Sequence, residues 1–189
     1  VEFTFIYNVP EDTQQFIDEV LPRTVSDVFR LKSPEAGVGT FRVAVARRML
    51  MGISSNASNP SRQEQIGFIS QHEEALDFTL GEAFQGRKVV RVTPATVVAA
   101  VARASATENR EMLKAFGQVM LTGMPRSEQD VAAILLRNWL LQGCPMGGDS
   151  GKTSRENMIY RKTQRAILAF RDQQIIRMLY PIAEEQWPL

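Results

Sequence analysis

"SRENMIYRKTQRAILAFRDQQIIRML", residues 154–179, is the stretch that decides the fold class. At 100° per residue, Ile159, Tyr160, Ile167 and Phe170 project to one side of a helix, while Arg155, Arg161, Lys162 and Arg165 fall within about one third of its circumference on another. The segment reads as an amphipathic helix that packs an apolar face on a core, shows a basic stripe to solvent, and ends before Pro181.

Working outward, helix punctuation recurs along the 189 residues. Thr153 with Glu156 reads as a capping box that opens this helix, and Gly143 as the terminator of the apolar run before it, "SEQDVAAILLRNWLLQG", which Ser127 and Asp130 open. "ENREMLKAFGQVML" places Met112, Leu113, Phe116, Val119 and Met120 inward and ends at Gly123 and Pro125. Thr93 as N-cap with Pro94 at the first helical position starts another helix. Ser61 with Glu64 is a capping box for a helix that stops near Gly81 or Gly86. "TFRVAVARRMLM" reads as about three helical turns, and "PEDTQQFIDEVL" with "RTVSDVFRLK" as a helical pair. The opening "VEFTFIYNV" alternates like a strand but has no partner strand nearby, so it leans to helix; "RKVVRV" is the best extended segment. The spacing predicts an all-α fold of eight or nine helices in two small helical-bundle subdomains, 1–86 and 87–189, divided at the basic stretch 86–94.

"GGDSGKT", residues 147–153, almost spells a phosphate-binding loop. That loop needs glycine five residues before Gly151, and Met146 stands there; it must also follow a buried strand, whereas a helical run precedes it. A nucleotide site is therefore not expected. Other catalytic groups are scarce. His72 reads as a surface residue on a polar helix face, with a pH sensor as the alternative. Cys144 sits in a loop without a matching base, and the pairs Asp18/Glu19, Glu73/Glu74 and Glu184/Glu185 are adjacent residues that diverge on a helix. No enzyme activity, metal site or cofactor is expected. A single cysteine excludes a disulfide within the chain, and with no leader recognised an intracellular setting is expected. No apolar run approaches the roughly 18 to 20 residues that cross a bilayer.

The net charge of +1 hides a segregation. Residues 1–29 hold six acids against Arg23, and residues 61–85 hold five against Arg62. Residues 86–106 hold Arg87, Lys88, Arg91 and Arg103 with no acid, and residues 137–177 hold eight bases against Asp149, Glu156 and Asp172. Such clusters are either solvated faces or surfaces for polyanions, and anionic lipid heads and nucleic-acid phosphates both fit. The candidate polyanion-binding residues are Arg155, Arg161, Lys162, Arg165, Arg87, Lys88 and Arg91. Arg42, Arg47 and Arg48 are basic residues whose exposure the pattern leaves open.

Two stretches resemble the matrix proteins of orthomyxoviruses, in the same order along the chain. "VEFTFIYNVPEDTQQFIDEVLPRTVSDVF" resembles the family's N-terminus, and "MPRSEQDVAAILLRNWLLQGCPMGGDSGKTSRENMIYRKTQRAI" is similar to its P-S-E-R helix, glycine-rich loop and basic helix. The likeness is that of a distant, isavirus-like branch, with Gln164 where the family's basic run has its second lysine. The resemblance implies a non-enzymatic shell protein of two helical domains that self-associates beneath the virion envelope, and in the host cell occupies the cytoplasm, the inner membrane face and the nucleus. It implies contacts of Arg161, Lys162 and Arg165 with anionic membrane lipid and with viral ribonucleoprotein or RNA. A nucleocapsid-like protein that coats nucleic acid is the alternative.

Overall fold

The computed structural model describes residues 24–25, 39–53, 60–145 and 154–189. Among them there are seven α-helices and no strand: α1 Thr40–Met51, α2 Arg62–Gln71, α3 Glu73–Asp77, α4 Ala95–Ala104, α5 Arg110–Thr122, α6 Val131–Leu141 and α7 Arg155–Arg171. A π-helical stretch, Phe78–Ala83, continues α3, and a 3-10 turn, Glu128–Asp130, leads into α6. The fold is all-α. The opening alternation at 1–9, the helical pair that follows it and the glycine-rich loop 147–153 lie outside the described residues.

The chain divides between Thr40 and Phe41 into two compact units, so the boundary expected at 86/87 falls inside the second, Phe41–Leu189. The π-helical stretch just before that position packs on α4 and α5, which both follow it. The approach is close: a Cβ on Gly117 of α5 would lie 2.1 Å from the Ala83 carbonyl oxygen. Only glycine lets the two backbones meet there.

Local signals hold where they are short-range. Ser61 and Glu64 form the expected capping box at α2, Asn109 caps α5, and α6 ends at Gly143. At three places the structure corrects the expected boundaries. The helix opened by Ser61 is interrupted at His72, whose φ of −112° and ψ of 26° leave the helical region. "RKVVRV" is a turn: the Val89 carbonyl accepts from Val92 N (3.1 Å), Thr93 N (3.0 Å) and the Thr93 hydroxyl (3.2 Å), which closes the segment on itself. Thr93 is thereby occupied, and Pro94 takes the N-cap position of α4. The third correction is the start of α7, which Ser154 caps where Thr153 was expected; the helix ends at Arg171, before Pro181 as expected. Gln173 turns left-handed (φ 54°), and the Gln174 N–H bonds the Ala169 carbonyl at 2.8 Å. That bond closes a Schellman cap.

Packing follows composition. α4, "ATVVAAVARA", is buried at every residue from Thr96 to Ala104, as expected of a helix apolar on all sides. α7 packs against α4 and α6 with Ile159, Tyr160, Ile167 and Phe170 buried, the four residues its periodicity placed inward. Phe170 meets Phe116 of α5 edge to face at 5.4 Å. After α7 the chain runs back without helix, and Leu179 and Trp187 are buried.

Candidate polyanion-binding surfaces

The seven cations singled out by the sequence meet different fates. Arg87, Lys88 and Arg91 stand exposed on the turn between Phe84 and Pro94, and none is ion-paired among the described residues. Val90 stands among them, 79% exposed. Arg91 holds a left-handed φ of 69°, and the Lys88 ammonium lies 4.9 Å over the Phe41 ring. The turn is a cationic projection carrying an apolar side chain.

The α7 stripe was expected to face solvent, and the structure corrects this for three of its four members. Arg155 is exposed and donates to the Gly143 carbonyl at 3.0 Å. Arg161 is half-buried and donates to the Ile182 carbonyl at 3.2 Å. Lys162 donates to the Leu179 carbonyl at 2.7 Å and lies 4.7 Å over the Trp139 ring, where burial holds its ammonium below the usual lysine range. Arg165 is half-buried and reaches Gln174 Oε1 at 3.4 Å. The reason is the returning C-terminal segment, whose backbone carbonyls accept hydrogen bonds from Arg161 and Lys162 and whose Gln174 side chain accepts one from Arg165. Periodicity had identified the face as polar and had no means of showing what covers it.

That segment is held by a polar cluster that sequence reading missed. Arg103, the one charged residue of α4, pairs with Glu185 at 3.1 Å and donates to the Met49 carbonyl at 2.7 Å and the Trp187 carbonyl at 3.1 Å. Glu185 also accepts from Ile53 N at 3.0 Å, from the Tyr160 hydroxyl at 3.5 Å and from the Gln164 amide. Burial pushes the Tyr160 phenol up, above the usual tyrosine range. Trp187 Nε1 donates to Glu108 at 3.0 Å, and Glu108 pairs with Arg171 at 2.8 Å. Gln164, fully buried, both donates to Glu185 and accepts from Gln186 N at 3.1 Å. A lysine, which has no acceptor, could not do both. The signal available in the sequence was Arg103 itself, a charge in an otherwise Ala/Val run that burial obliges to find a partner.

The remaining basic residues do not join into one patch. Arg42 pairs with Asp77 and lies 3.7 Å from Glu73. Arg47 is exposed, whereas Arg48 is buried, with Nη2 donating to Asn157 Oδ1 at 2.7 Å and the guanidinium 4.9 Å over the Tyr160 ring. The acids collect elsewhere: Glu73, Glu74, Asp77 and Glu82 line one shallow groove with Arg110 and Phe78. No cluster of three His, Cys, Asp or Glu suited to a metal occurs among the described residues. His72, expected on the surface, is half-buried and stacked on Phe68 at 4.2 Å; burial and then the charge of Arg103 hold its imidazole below the usual range. Cys144 is buried in the connection after α6. No helix among the described residues is long and apolar enough to cross a membrane. No family model, no curated protein and no solved structure matches the chain.

Proposed function

We propose that the chain is a structural, matrix-type protein that coats an anionic membrane and self-associates, with the turn carrying Arg87, Lys88, Val90 and Arg91 as its membrane contact. The observation that supports this is the geometry of that turn: three exposed cations, none ion-paired among the described residues, surround an exposed valine, so charge can meet lipid phosphates while Val90 reaches the headgroup level. Each cation near an anionic surface contributes about 1 kcal/mol, so one copy adheres weakly and reversibly. Many copies held together bind far more tightly, because every contact after the first is effectively intramolecular. In a virus the place for such a coat is beneath the envelope, with viral ribonucleoprotein as its inner partner, and in the host cell the inner membrane face, the cytoplasm and the nucleus.

Flotation with vesicles of anionic and of neutral lipid tests the reading. Binding should require anionic lipid and fall as salt rises, since exposed charges are screened beyond about 10 Å at 0.1 M. Binding indifferent to lipid charge removes the proposal. Co-purifying RNA with a steep negative salt slope would move the same cations to a nucleic-acid coat instead.

A further inference from the structure

α1 and the first turns of α4 and α7 enclose a groove of about 230 Å³, whose lining includes Ala44, Arg48, Met51, Ala95, Thr96 and Glu156. Two independent features bring hydrogen-bond donors to it. α4 begins after Pro94, which offers no capping side chain, and its first turn contains no acid. The N–H groups of Ala95 and Thr96 precede the first intrahelical bond, and neither has a partner among the described residues. The second feature is Arg48, which is only 6% exposed and whose Nε makes no hydrogen bond among the described residues, although Nη2 is fixed on Asn157. A desolvated guanidinium normally has its donors matched.

We propose that this groove binds the phosphate group of a phosphomonoester, with the Ala95 and Thr96 N–H groups, the Thr96 hydroxyl and the Arg48 guanidinium as its donors. Convergent N–H groups at a helix start favour a tetrahedral oxyanion, and a guanidinium held in one orientation adds a fork matched to two of its oxygens. The Tyr160 ring beneath Arg48 and the Asn157 amide beside it hold that fork in place before a ligand arrives. Glu156 stands at the rim in the first turn of α7, where its carboxylate attracts Arg48 and repels an incoming phosphate. The site is separate from the Arg87–Arg91 turn and does not rest on the membrane reading.

Titration of the isotopically labelled 189-residue chain with inorganic phosphate, followed by amide shifts, tests the assignment. Saturable shifts are expected at Ala95 and Thr96. Thr96→Val, nearly isosteric, and Arg48→Lys, which loses the fork, should each weaken binding about tenfold. Glu156→Gln should tighten it by up to about fivefold. Should Arg48→Lys fail to fold, Thr96→Val still decides. Glycerol 3-phosphate and bicelles containing phosphatidic acid separate the two sources of the group: response to the first alone identifies a soluble ester, and response to both a lipid headgroup. Phosphate shifts confined to Arg87–Arg91, unchanged binding by Thr96→Val, or a response to single-stranded RNA without one to phosphate would overturn the assignment.

Discussion

Arg87, Lys88 and Arg91 project into solvent around Val90, whereas Arg161 and Lys162 are turned onto the carbonyls, and Arg165 onto the Gln174 side chain, of a segment that comes back over them. Three cations each, and two outcomes. The turn lies between a π-helical stretch and a buried helix, and its backbone hydrogen bonds are local, from Arg87 N to the Phe84 carbonyl and within Val89–Thr93, so its three charged heads are not needed to hold it. The α7 stripe borders the core, and a returning chain that buries Leu179 and Trp187 must cross it to reach Arg103. Charge at one site is available for a partner, and charge at the other contributes to holding the fold. A long side chain can serve either purpose, because its methylenes pack while its head finds an acceptor.

This contrast can be broken or sharpened by measurement. The largest effect is expected from Arg103→Met, which leaves Glu185 half of an ion pair inside the fold; thermal unfolding should show a loss of about 3–5 kcal/mol. A loss below about 1 kcal/mol would mean that Glu185 does not clamp the returning segment. Next comes the triple reversal Arg87→Glu, Lys88→Glu and Arg91→Glu, for which affinity for anionic vesicles should fall by about a hundredfold. Its melting temperature should stay close to wild type, since none of the three is ion-paired among the described residues. Reversal of Arg161 and Arg165 should change vesicle affinity by less than about fivefold while lowering stability. If the second reversal weakens flotation more than the first, the roles of the two surfaces are interchanged.

The smallest effect concerns His72. Its folded pKa lies below the ordinary 6.5, so the unfolded chain binds the proton more readily. The associated stability is complete above the unfolded value and is lost as pH falls below about 6.5. Denaturant titrations at pH 7.5 and 5.5 should show that His72→Gln flattens part of this decline, and an unchanged slope would show that the imidazole titrates alike in both states.

Much of the helical framework was legible locally. The Ser61–Glu64 box, the stop at Gly143 and the inward face of α7 depend on residues within a turn or two of one another, where periodicity and capping chemistry operate. The helical class of the described residues followed from the same patterns, although "RKVVRV", read as extended, is a turn. The corrections arose where a local group was claimed by something else, as Thr93 is by the Val89 backbone. Among the proposed site residues, the turn cations and Arg155 were legible as exposed charge. Arg48, Thr96 and Ala95 were not, because each gains its meaning only where α1, α4 and α7 meet.

What the sequence by itself determined is an all-helical chain with segregated charge, since helix periodicity, caps and charge clusters are properties of neighbours along the backbone. Which of those charges face outward was decided only by tertiary structure. The pairing of Arg103 with Glu185 joins residues distant in sequence, and it is the cost of leaving a buried charge unmatched that draws the final segment across the basic helix.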